Sequence, residues 1–93
     1  MLKKSSLAII NEMWSGDKTV EFMTDTCEKV LYLTEQYIKV RHITNDMDIM
    51  ACILGVVGDL DKNSRNRLKL DEDQKAFIKT LKFVLKNELL AKD

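Results

Sequence analysis

The chain has no proline, three glycines, two cysteines, one histidine and one tryptophan. Each shortage excludes something. An all-β sandwich needs many turns built on glycine and proline, so these counts argue against it. Collagen-like and linker-rich classes fall for the same reason. Cys27 and Cys52 fit no zinc spacing, and His42 alone cannot complete a ligand set. No metal and no cofactor is expected. Two thiols in a cytosolic setting are expected to be buried and reduced.

Long apolar runs are also missing. No stretch approaches the roughly 18 apolar residues that a membrane span requires. The opening Met1-Leu2-Lys3-Lys4 has the charge of a signal peptide. The apolar run Leu7–Ile10 stops at Asn11 and Glu12, too short for its hydrophobic region. A cytoplasmic protein is expected.

What is present suits a globular domain. Apolar residues make up 45% of the 93-residue chain and charged residues 32%, which excludes disorder. That length supports one domain over residues 1–93. Net charge is zero, yet the charges are segregated. Residues 1–61 carry six basic and ten acidic side chains, −4, and residues 62–93 carry nine and five, +4.

Apolar spacing predicts four helices and no strand, hence an all-α, antiparallel four-helix bundle with short loops. The first spans residues 2–14 with Leu7, Ile10, Met13 and Trp14 inward, before a stop at Gly16. The second spans 18–41, capped by Ser15 or Asp17. Val20, Met23, Cys27, Val30, Leu31 and Ile38 form one stripe, and Phe22, Leu33 and Val40 a second face. Two apolar faces predict a central helix. The third spans 46–61, capped by Thr44 or Asn45, with Asp46 and Asp48 in its first turn. It is apolar nearly all round, so central burial is expected, with Gly55 or Gly58 at a close helix contact. A polar loop follows over residues 61–70. The fourth helix opens at Asp71-Glu72-Asp73-Gln74, close to a capping box, and runs to Leu90 with Phe77, Ile78, Leu81, Val84 and Leu85 inward.

Catalytic chemistry finds no foothold. There is no nucleophile elbow, Cys-His signature or glycine-rich phosphate loop. His42 at the end of the second helix reads as a capping residue. Asp59-Leu60-Asp61-Lys62-Asn63 places oxygen ligands like a calcium loop, but Ser64 and Leu70 replace the glycine and glutamate that loop needs. The chain is not expected to be an enzyme.

The candidate site is cationic. Lys75, Lys79, Lys82 and Lys86 fall on one narrow helical stripe, with Phe83 beside it as an aromatic anchor or a contact to the first helix. The loop adds Lys62, Arg65, Arg67 and Lys69. Together these make a basic surface over the last helical hairpin, suited to an acidic protein or the negative inner face of a membrane. Nucleic acid is not expected as a partner, because no tryptophan or tyrosine lies in the basic segment to stack on bases.

The order of parts resembles the small immunity proteins that protect producers of class II, pediocin-like bacteriocins. Met1-Leu2-Lys3-Lys4 through Ile9-Ile10-Asn11-Glu12-Met13-Trp14 is similar to that family's first helix. Lys29-Val30-Leu31-Tyr32-Leu33 is similar to its long second helix. Asp46 to Leu60, followed by Leu68-Lys69-Leu70-Asp71-Glu72-Asp73-Gln74-Lys75, resembles its third helix, loop and fourth-helix entry. The resemblance implies a cytosolic, non-enzymatic antiparallel bundle acting on the membrane sugar transporter that the bacteriocin uses as receptor. It also implies that specificity lies in the C-terminal half. The competing expectation is a small helical inhibitor or adaptor, of the kind carried by phages or other mobile elements, bound to a soluble host protein. In either case a monomer is expected, with any weak dimer forming through Met47, Ile49 or Val56.

Overall fold

Four helices make up the structure, a computed structural model that describes residues 1–14, 19–67 and 72–90, the side chains of residues 61–67 excepted. They are α1 (Lys4–Met13), α2 (Val20–Val40), α3 (Asp46–Arg67) and α4 (Glu72–Leu90). No strand occurs among the described residues.

Local chemistry sets the helix ends. Thr19, not Ser15 or Asp17, is the N-cap of α2. Its Oγ1 accepts a bond of 3.2 Å from the Phe22 N–H. Ser15 and Asp17 lie outside the described residues. The end of α2 is a Schellman turn without glycine. His42 takes the left-handed position at φ 55. Its N–H bonds the Lys39 carbonyl at 3.2 Å, and the Ile43 N–H bonds the Ile38 carbonyl at 3.0 Å. His42 therefore ends the helix through its backbone. Asn45 then caps α3, its Oδ1 accepting from the Met47 N–H at 2.8 Å.

α3 continues to Arg67, so residues 62–67 are helical and not part of a loop. They contain no glycine or proline to break the helix. Asp71, the expected cap of α4, lies outside the described residues.

The core joins Leu2, Ile10 and Trp14 from the first segment, Met23, Cys27 and Leu31 from α2, Ile53 and Val57 from α3, and Leu81, Val84 and Leu85 from α4. Leu7, Val30, Phe77 and Ile78, all expected inside, pack against it half-buried. Val20, placed on the inner stripe of α2 by its spacing, is exposed.

Among the described residues, α2 and α4 each contact all three other helices, whereas α1 and α3 do not touch. The cross-section is a flattened diamond, with α2 and α4 across its short diagonal. The molecule measures 36 × 32 × 18 Å.

This arrangement corrects three expectations. α3 is not centrally buried. It sits at a far corner, leaving Met47 80% and Leu54 49% exposed. The second apolar face of α2 points outward, with Leu33 66% and Val40 75% exposed. Gly55 and Gly58 make no close contact, since a Cβ built at either meets nothing within 4 Å. Both are exposed.

Candidate recognition surface

α4 presents two opposite faces. Thr80, Leu81, Val84 and Leu85 are buried. Lys75, Lys79, Lys82 and Lys86, spaced by four, three and four residues, are all exposed on the other side. Lys75 pairs with Glu72 at 3.6 Å, with both side chains largely in water. Among the described residues Lys79, Lys82 and Lys86 form no ion pair.

Phe83 is 45% exposed. It shares a shallow hollow between α1 and α4 with Ile9, Lys86, Asn87 and Leu90. A second hollow, between the end of α1 and the start of α4, is lined by Met13, Ala76, Lys75 and Lys79 together with the acids Glu72 and Asp73.

A polar seam ties the C-terminal end of α4 to the start of α1. The Lys3 backbone N–H donates to Glu88 Oε1 at 2.6 Å. Asn87 Nδ2 donates to Ser5 Oγ at 2.9 Å and to Ser6 Oγ at 2.7 Å. Ser6 is fully buried. From α2, Glu28 Oε1 accepts from the Leu2 N–H at 3.4 Å. Two carboxylates therefore serve the entry to α1, where Lys3 supplies no side-chain cap.

Of the remaining predicted site residues, Lys62, Arg65 and Arg67 fall on the last turns of α3, with side chains outside the described set. Lys69 lies outside the described residues altogether. The described structure therefore brings together Lys75, Lys79, Lys82, Phe83 and Lys86.

A second surface was not anticipated. Tyr37 of α2 and Ala51, Cys52, Gly55, Val56 and Asp59 of α3 line a groove between the two helices. Arg41 lies 4.8 Å over the Tyr37 ring, within cation–π range. Cys52 is only partly buried, against the expectation of two buried thiols. Burial still pushes its thiol above the ordinary value. Cys27, fully buried, is pushed up to about 11 by the same desolvation.

Among the described residues no cluster of three or more His, Cys, Asp or Glu is placed to hold a metal. No described helix is long and apolar enough to cross a membrane. No family model matches the chain, and no curated protein or solved structure matches it. The likeness to bacteriocin immunity proteins thus rests on the order of helices and the residues quoted for it.

Proposed function

We propose that this chain is a cytoplasmic, non-catalytic recognition protein of the bacteriocin-immunity type. It acts as a monomer at the inner face of the membrane, on a sugar-transporter receptor or the receptor–toxin complex. The observation that carries this reading is the outer face of α4. Four lysines and a half-exposed phenylalanine stand directly opposite the buried residues that anchor the helix. In this reading Lys62, Arg65, Arg67 and Lys69 extend the same surface.

The helices are read as an antiparallel bundle. The contacts support this, since Lys3 meets Glu88, Ser6 meets Asn87, Ile9 shares a hollow with Phe83, and Met13 shares one with Ala76. Positions rise along α1 as they fall along α4.

A second reading, an adaptor that binds a soluble host protein, draws on the α2–α3 groove and on exposed Leu33 and Val40 beside it in sequence. Capture from lysate, with and without solubilised membranes, separates the two. The immunity reading requires a partner only when membranes are present, and protection of sensitive cells against a pediocin-like bacteriocin. A partner captured equally from the soluble fraction, with no protection, sinks it in favour of the adaptor.

A further inference from the structure

We infer that the α4 face formed by Lys75, Lys79, Lys82, Lys86 and Phe83 lies on anionic phospholipid headgroups. The inference rests on reading this face as the recognition surface, and it names what the face recognises.

From Lys75 to Lys86 α4 contains four lysines and no acidic residue. The stripe extends about 16 Å at 1.5 Å per residue. All four ammonium groups sit on flexible stems, and no arginine interrupts them. Cores of protein–protein interfaces are poor in lysine and rich in arginine and aromatic residues. A lysine is a hydrated point charge without the planar fork that pairs with a fixed carboxylate. An array of such charges fits mobile headgroups better than a rigid acidic partner.

The α4 face lies at one end of the short diagonal of the diamond, and α2 lies at the other. Of the four acids of α2, Glu21, Asp25 and Glu35 are exposed on that other helix, alongside Lys29 and Lys39, and Glu28 is half-buried. The molecule is 18 Å thick in its thinnest direction. That exceeds the screening length of about 8 Å at physiological ionic strength. The local charge of the α4 face, not the net charge of zero, therefore governs its approach to a charged plane.

Phe83 and Leu90, with Ile9 from α1, border a hollow beside Lys86. An apolar edge flanked by lysines is the pattern of interfacial binding, with rings at headgroup depth and ammonium groups reaching phosphate.

Vesicle co-sedimentation of the full chain tests this. Vesicles of phosphatidylglycerol and phosphatidylcholine are compared with phosphatidylcholine alone. Binding is expected only to the anionic vesicles, and it should be lost at high salt. Each lysine near an anionic surface is worth about fivefold in partitioning. The double variant Lys79→Ser, Lys82→Ser should then bind about 25-fold more weakly, with an unchanged helical circular-dichroism melt. Lys79→Arg with Lys82→Arg should bind as the wild type does. Absence of binding to anionic vesicles overturns the inference, as does equal binding by the double Ser variant. If vesicle binding is absent while the same variant loses a captured acidic protein, the lipid assignment fails and the recognition face stands. If the variant keeps both its protein partner and its protective effect, the recognition reading itself fails.

Discussion

Glu88, near the end of α4, accepts a hydrogen bond of 2.6 Å from the backbone N–H of Lys3, 85 residues earlier in the chain. The bond closes the molecule, because it fixes the first helix entry to the last helix. It places a carboxylate where the α1 dipole is positive and where Lys3 offers no side-chain cap. The same helix carries the lysine face proposed as the recognition surface.

Removing that acceptor should therefore be felt in stability. Glu88→Ala should cost about 1 to 2 kcal/mol, the range for a charge-assisted bond with its orphaned donor. Glu88→Gln, which retains an acceptor oxygen, should cost less. Urea denaturation midpoints of the two variants check the order. Equal stability of Glu88→Ala and wild type would show that the seam contributes nothing.

Gly55, in the groove between α2 and α3, and Gly58 both lie in open space. Each costs about 1 kcal/mol against alanine in a helix interior. Gly55→Ala and Gly58→Ala should each raise the melting temperature by several degrees. A lowered melting temperature for either variant would mean that its Cβ meets an obstacle, against the geometry seen here.

The Cys27 thiol stays protonated to about pH 11, against an ordinary value of 9.0. Burial favours the neutral form, so the folded state binds this proton more tightly than the unfolded state. The associated stability is complete below pH 9 and declines as pH rises towards 11. Over that window the loss amounts to about 2 to 3 kcal/mol. Cys27→Ala should flatten this part of the profile. Unfolding free energies of both proteins from pH 8 to 11 check it, and parallel profiles would contradict it. At pH 8 a thiol reagent should modify partly buried Cys52 faster than Cys27.

Much of this fold is legible in the residue pattern, for physical reasons. Four amphipathic segments must bury their apolar stripes, and Leu81, Val84 and Leu85 do so as their spacing requires. The acids Asp46 and Asp48 mark the start of α3, and of the two candidate caps Thr44 and Asn45 the structure uses Asn45. The lysine stripe follows from helical phase alone, because residues opposite a buried stripe must face solvent.

What the pattern hides is tertiary. Apolarity on all sides of α3 says that the helix has spare apolar surface, not that neighbours cover it. The diamond arrangement leaves Met47 and Leu54 outside. The two faces of α2 read as two contacts, and one of them faces water. His42 shows the same limit locally. Glycine usually marks a left-handed helix end, and here a histidine occupies it. The seam of Lys3, Ser5, Ser6, Asn87 and Glu88 has no sequence signal, since its partners lie more than 80 residues apart.

The central claim is that the lysine face of α4 recognises a partner and is not merely solvated. The direct measurement is survival of bacteriocin-sensitive cells expressing either the wild-type chain or the variant Lys75→Ser, Lys79→Ser, Lys82→Ser, Lys86→Ser. Among the described residues only Lys75 of the four forms an ion pair, an exposed one worth about 0 to 1 kcal/mol, and serine ranks below lysine in helix propensity, so the variant should fold with a moderately lowered melting temperature. Wild-type cells should survive challenge by a pediocin-like bacteriocin and variant cells should die. Full survival of the cells carrying the folded variant would contradict the account.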